Sequence, residues 1–220
     1  MNTQEKWHEM HSQKRHQPRY PGSDLVAFVL KNFKKNDQIL DLGCGGGRHV
    51  KFLAENDFIA YGVDYSANGI KATQELLDLY KLKAELKIAS VDNIPYEDEK
   101  FEGVICYGVL YYNSKEVIEK AAKEIYRVLK KDGIAYMVVR NTNDYRYLNN
   151  EKISKYEVFI DEKDALKSAF KENGMKMYFF DKDEVRRVFG DFKQIEINSL
   201  RKTHANDSFA DENFLVILRR

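Results

Sequence analysis

The stretch Ile39-Leu40-Asp41-Leu42-Gly43-Cys44-Gly45-Gly46-Gly47 constrains this chain more than any other. An apolar run of strand length ends in an acid and four glycines, and Arg48 to Leu53 continues as a helix. Glycine permits positive φ and lets a ligand come close to the backbone. The first turn of a helix leaves N–H groups free to donate. Strand, glycine turn and helix in that order predict a bend that cradles a nucleotide. The spacing narrows the ligand further. A dinucleotide fingerprint needs G-x-G-x-x-G, and counting from Gly43 the third glycine position falls on Arg48. Asp41 sits just before the first glycine, pointing towards the ligand, where it repels a pyrophosphate and welcomes a cationic group.

A second acid stands at a telling distance. Phe58 to Val63 reads as a second strand ending at Asp64, with Tyr65 and Ser66 behind it. Asp64 lies 21 residues past Gly43, the place from which an acid accepts from ribose hydroxyls. Ser66 is a suitable cap for the helix expected from Ala67 to Tyr80. Leu86 and Ile88 alternate as a third strand, and Glu102 to Tyr107 forms a fourth. Ser114 opens a helix carrying Val117, Ile118, Ala121, Ile125, Val128 and Leu129 at helical spacing. Ile134 to Arg140 is a fifth strand, Phe179-Phe180-Asp181 opens another helix, and Phe192 to Leu200 and Phe214 to Leu218 close the chain as strands. Strands alternating with amphipathic helices predict a parallel sheet with right-handed crossovers.

Asp41, Gly43, Gly45 and Gly47 fill every slot of motif I of the class I S-adenosylmethionine (SAM)-dependent methyltransferases, an acid followed by G-x-G-x-G, and the stretch resembles that motif. Arg127-Val128-Leu129-Lys130-Lys131-Asp132-Gly133 is a further family-like segment. Phe179-Phe180-Asp181-Lys182-Asp183-Glu184-Val185 and the last apolar strand look like small methyltransferases of the tellurite-resistance and ubiquinone-biosynthesis kind. The resemblance implies an α/β, Rossmann-like, seven-stranded and mostly parallel sheet, with helices on both faces and an antiparallel C-terminal strand. It also implies SAM as cofactor. Gly43, Cys44, Gly45 and Gly47 would meet its methionine part, and Asp64 with Tyr65 and Ser66 its ribose. Asp92 would meet the adenine with Asn93 nearby, and Tyr107 would pack beside the cofactor. Tyr111 and Tyr112 occupy slots where relatives often carry histidines, and Tyr111 is expected to face the substrate pocket as the candidate catalytic residue. Arg140, Arg146 and His204 are the other candidates for contact with the acceptor, and no single base is named. Asn93-Ile94-Pro95-Tyr96 looks like the Asn-x-Pro-aromatic box of adenine-N6 methyltransferases. That box must follow the fourth strand, and here it precedes it.

The remaining expectations are set by length and charge. At 220 residues the chain is read as one domain, 1–220. Within it, 1–23 is an arm over the cofactor, with Arg19 or Tyr20 reaching the methionine carboxylate, and 141–177 is an insertion that covers the substrate pocket. With 36 basic and 35 acidic residues the net charge is +1, so a general attraction to nucleic acid is not indicated and none is expected as partner; a small-molecule acceptor is the favoured reading, with a nucleic-acid or protein methyltransferase, or a non-catalytic SAM-binding relative, as the alternatives. Two cysteines make neither a disulfide framework nor a zinc spacing, and Cys44 reads as a packing residue. His8 and His11 are one helical turn apart without a third ligand, so no metal is expected. No signal peptide or membrane span is read, and a cytoplasmic location follows as the expectation.

Overall fold

The computed structural model describes residues 3–11, 13 and 17–220. Residues 1, 2, 12 and 14–16 of the expected arm, and the side chain of His11, lie outside the described residues. Two helices come first, α1 (Thr3–His11) and α2 (Ser23–Asn32). The central strand β1 (Gln38–Leu42) is followed by α3 (Arg48–Glu55), β2 (Ile59–Asp64), α4 (Ala67–Tyr80), β3 (Glu85–Ile88) and β4 (Phe101–Tyr107). After α5 (Lys115–Val128) and β5 (Leu129–Arg140) come the short elements α6 (Tyr145–Asn149), β6 (Glu151–Lys152), β7 (Glu157–Phe159) and β8 (Lys176–Tyr178). Helix α7 (Lys182–Val188) leads to the closing hairpin, β9 (Gln194–His204) and β10 (Phe209–Arg219).

Seven strands form one sheet in the order β3-β2-β1-β4-β5-β10-β9. Strands β1 to β5 run parallel, and β10 is antiparallel to both neighbours. This is the Rossmann-like, seven-stranded and mostly parallel sheet with an antiparallel C-terminal strand that the sequence leads one to expect. Period-two alternation explains how one sheet supports two cores. Leu40, Leu42, Val104, Cys106, Ala135, Met137 and Val139 face α5 and the C-terminal region. Their neighbours Ile39, Ile105, Tyr136 and Val138 face the opposite core with Leu25 and Val29 of α2, Val50 and Leu53 of α3, and Leu77 of α4. Strand order reverses between β1 and β4, and the crevice outside the carboxyl ends of such strands is where open α/β sheets take ligands.

Three segments differ from the sequence reading. The weakly patterned stretch 141–177 builds a small antiparallel sheet, β6-β7-β8, because Val158, Ile160, Met175, Met177 and Tyr178 bury against the main core. The closing strands run 11 residues each, further than their apolar segments, because pairing continues to Phe209 and His204. Strand β5 starts at Leu129 instead of Ile134, with a register shift at Phe101/Gly103. The Asn93-Ile94-Pro95-Tyr96 stretch is a structural loop. Arg127 donates to the carbonyls of Ile94 and Tyr96 at 2.9 and 2.7 Å, and Glu124 accepts from the Ile94 N–H. That explains the Arg at the head of the Arg127–Gly133 segment. No helix among the described residues is long and apolar enough to cross a membrane.

Candidate functional site

The glycine turn takes its shape from packing on both sides. Gly43 has φ +79°, and a Cβ there would lie 2.4 Å from a methyl of Val109. Gly47, with φ +83°, caps α3, and a Cβ there would lie 2.6 Å from Thr73 Cγ2. Any other residue would be strained in dihedral angle and clash with its neighbour at both points. The turn is stitched to β2: the Gly43 and Cys44 N–H groups donate to the Val63 carbonyl, and Thr73 Oγ1 donates to the Gly45 carbonyl at 2.8 Å.

Asp64 holds the other side of the bend. Its Oδ2 accepts from the Gly45 N–H and its Oδ1 from the Ser66 N–H, both at 2.8 Å. Ser66 caps α4 by accepting from the Gly69 N–H. Burial, and after it the Asp64 charge, pushes the Tyr65 phenol upward. The buried Cys44 thiol is also pushed well up, chiefly by burial, which suits a packing residue and not a nucleophile.

Outside these carboxyl ends lies a cavity of about 450 Å³. Gly43 to Gly46, Asp64 and Tyr65, Ala89 to Val91, and Tyr107 to Val109 line it from β1, β2, β3 and β4 in turn. Helix α1 covers it. Trp7 meets Tyr112 edge-on at 4.8 Å, Met10 lines the cavity, and Asn68 of α4 donates to the His8 carbonyl at 3.1 Å. Lys6 donates to the Asn173 carbonyl within the insertion. The far end is closed by Tyr112, Asn113 and Lys171.

Several candidates lie elsewhere. Asp92 is half-buried and accepts from Ser90 Oγ, Asn93 is exposed, and Ser90 and Val91 line the cavity in their place. Gln17 and Pro18 line it, whereas Arg19 is exposed and Tyr20 is 82% exposed. Tyr111 is buried one layer back, its ring 5.1 Å from the Arg140 guanidinium, and Tyr112 takes the cavity position. Burial pushes the Tyr111 phenol above its ordinary value, so it is unsuited to act as a base at neutral pH.

Arg140, Arg146 and His204 are occupied by a buried ionic network. Arg140 donates to Asp144 at 2.8 Å, and Arg146 donates to Glu172, to Asp211 at 2.6 Å and to Ser168 at 2.6 Å. His204 Nε2 lies 2.9 Å from Asp211 and stacks on Phe209. The network fastens β5, α6 and the segment before β8 to β10. Isolated charges after a fifth strand look available in the sequence; Asp144 is only four residues from Arg140 and Asp211 seven from His204, but Ser168, Glu172 and Asp211 reach the two arginines from 22 to 71 residues away.

His49 and Asp41 are the pair that composition hides. Asp41 is 1% and His49 3% exposed, with Nδ1 of the ring 3.6 Å from Oδ1 of the acid. Asp41 Oδ2 and His49 Nε2 are buried without a hydrogen-bond partner among the described residues. Buried polar atoms are nearly always satisfied; of the two residues His49 lines the cavity and Asp41, expected to point towards the ligand, does not. The signal for His49 was its position on the buried face of α3, beside Val50, Phe52 and Leu53. Among the described residues no cluster of histidine, cysteine and acids could hold a metal.

A family model described as a methyltransferase domain matches residues 39–133. An uncharacterized protein of Methanocaldococcus jannaschii is 29% identical over 175 residues, covering 79% of this chain and 63% of that protein. A tRNA U34 carboxymethyltransferase of Campylobacter jejuni is 28% identical over 183 residues, covering 80% of this chain and 59% of that protein. The chain spans less than two thirds of the length of these relatives. Among solved structures, a SAM-dependent methyltransferase from Methanosarcina mazei has a TM-score of 0.71 at 20% identity, covering 88% of this chain and 96% of that chain.

Proposed function

We propose that this chain, whose residues 39–133 are a methyltransferase domain of the class I SAM-dependent type, moves a methyl group from SAM to a small-molecule acceptor. The residues present fit the cofactor. Asp64 lines the cavity at the end of β2, the glycines leave room for close approach, and His49, whose Nε2 is buried without a hydrogen-bond partner among the described residues, lines the cavity too. Following strand order, Ala89 to Val91 would hold the adenine, Asp64 the ribose, and the β1 and β4 ends the methionine part. When bound, SAM supplies a methyl group on a cationic sulfur that is displaced in line by an O, N or S atom.

Catalysis by the chain is chiefly positioning and exclusion of water. Helix α1, with Trp7 and Met10, roofs the cavity, and Tyr112 and Asn113 bound the end opposite β3. Holding two reactants in register is worth on the order of 7–11 kcal/mol. The observation that favours a small acceptor is this roof, since Trp7 and Met10 of α1 cover the site; the cavity itself, about 450 Å³, is of the size of a small-molecule or cofactor site. A nucleic-acid acceptor is the second reading, favoured by the relative named as a tRNA U34 carboxymethyltransferase. Against it stands the net charge of +1, since phosphate contacts by basic side chains dominate nucleic-acid affinity. Incubation with methyl-tritiated SAM, with a low-molecular-mass cell extract and total tRNA in parallel, tests the choice. Label is expected in the small-molecule fraction. Label confined to tRNA would replace the first reading with the second.

A further inference from the structure

The insertion brings one cation to the cavity. Lys171 belongs to the short 3₁₀ turn Ser168–Glu172 and lines the cavity beside Tyr112 and Asn113, at the end away from β3. Its neighbours in the chain fix its place. Glu172 is buried and accepts from the Tyr112 hydroxyl at 2.7 Å and from Arg146 Nε, and the Asn173 carbonyl accepts from Lys6 of α1. With Glu172 turned inward by two partners, the exposed side chain of Lys171 is left at the cavity. It has no carboxylate partner among the described residues, whereas Lys163 and Lys167 of the same insertion pair with Asp161 and Glu162. The walls around it are apolar or already satisfied. Trp7 and Met10 roof this end, Trp7 meeting Tyr112 edge-on at 4.8 Å, and Val109 also lines it. The Tyr112 hydroxyl is spent on Glu172. Asn113 Nδ2 donates to the Val109 and Leu110 carbonyls at 3.1 and 3.3 Å, which leaves Oδ1 as an open acceptor. The other ionic side chains of the lining, Arg48, His49 and Asp64, belong to the β1 and β2 ends.

We propose that the methyl acceptor is a small oxyanion, a carboxylate or phosphate on an apolar body, and that Lys171 pairs with its charge. The inference rests on the small-molecule reading above and narrows it to a substrate class. Pockets with apolar walls fix a ligand through their few placed polar groups, and a charge pair gains strength where such walls keep water out. The apolar body lies against Trp7, Met10 and Tyr112, and Asn113 Oδ1 accepts from a hydroxyl or amine on it. Strand order sets the side, since adenine at the β3 end leaves the opposite end to the acceptor. A cationic acceptor would meet like charge there, and a neutral one would leave Lys171 unpaired.

Low-molecular-mass cell extract passed over an anion-exchange resin gives a retained, anionic fraction and a flow-through, and each is incubated with the wild-type chain and methyl-tritiated SAM. Label is expected from the retained fraction. Lys171→Met keeps the apolar stem and removes the charge. It is expected to lower the labelling rate at limiting extract about ten- to hundredfold, the range for a lost hydrogen bond to a charged group. Its melting temperature and its calorimetric affinity for S-adenosylhomocysteine should match the wild type, because the side chain is exposed and braces nothing. Lys171→Arg is expected to recover most of the rate. Phosphatase treatment of the retained fraction tells the two anions apart: an acceptor that is lost is a phosphate, one that survives is a carboxylate, and either agrees with the proposal. Label from the flow-through alone, or a Lys171→Met rate equal to wild type, would overturn the proposal and leave the small-molecule reading standing. Weakened S-adenosylhomocysteine binding in Lys171→Met would assign the residue to the cofactor and overturn it too. Label in neither fraction would end the small-molecule reading and this inference with it.

Discussion

Asp64→Ala is expected to weaken S-adenosylhomocysteine binding at least about a hundredfold, because two charge-assisted hydrogen bonds are worth about 1.5–3 kcal/mol each. The size of the effect comes from two roles held by one carboxylate. It is placed to accept from the ribose, and it already braces the glycine turn through the Gly45 N–H and the start of α4 through the Ser66 N–H. Removing it leaves both N–H groups without their acceptor, so the bend loosens as the ligand contact is lost. Asp64→Asn is no mild replacement, since its amide NH₂ would face one of those two donors. The far-ultraviolet spectrum of Asp64→Ala should match the wild type, because β2 remains paired on both sides. Affinity within threefold of wild type would remove Asp64 from the site.

Arg146→Met is expected to lower stability by about 3–5 kcal/mol, the cost of breaking a buried ion pair by removing one partner. For a chain of this size that is a fall in melting temperature of roughly 6 to 20 °C. Arg146 is 1% exposed and joins Asp144, Glu172, Asp211 and Ser168. Without it three carboxylates share Arg140 and His204. Adding Glu172→Gln to the same chain should return part of the loss, because it removes one stranded charge. Burial pushes the Asp211 carboxyl up, but the hydrogen bond from Arg146 and the charges of Arg146 and Arg140 hold it below the usual carboxylate range. Its contribution is therefore full above that range and disappears only as the pH falls through the lowered value. A change in melting temperature below about 2 °C would contradict the account of this network.

How far the sequence could be read depended on whether the deciding contacts were local. The turn at Gly43–Gly47 and the acid at Asp64 were legible because backbone geometry and strand spacing are written in neighbouring residues. The Ser66 and Ser114 caps and the extent of α4 were legible for the same reason. The small sheet β6-β7-β8 was not. Its apolar residues are sparse along the chain and gain their meaning only by packing on a core built elsewhere. Arg140, Arg146 and His204 looked free because, Asp144 apart, their acidic partners Glu172 and Asp211 are distant in sequence or drawn from another strand. Tyr111 was expected at the pocket, but the three-residue turn at Leu110–Tyr112 faces Tyr112 to the cavity and Tyr111 inward, a choice that two adjacent tyrosines do not reveal. His49 carries no motif, and its burial beside Asp41 appears only once α3 is docked on the sheet.

The claim on which all of this depends is that the acidic, glycine-lined end of β1 holds a cationic sulfur nucleoside. Isothermal titration of the wild-type protein with SAM and with its demethylated product S-adenosylhomocysteine, run beside NAD, tests it most directly. The account predicts saturable one-site binding of SAM and of S-adenosylhomocysteine and no heat with NAD. Binding of NAD with neither of the other two would contradict it.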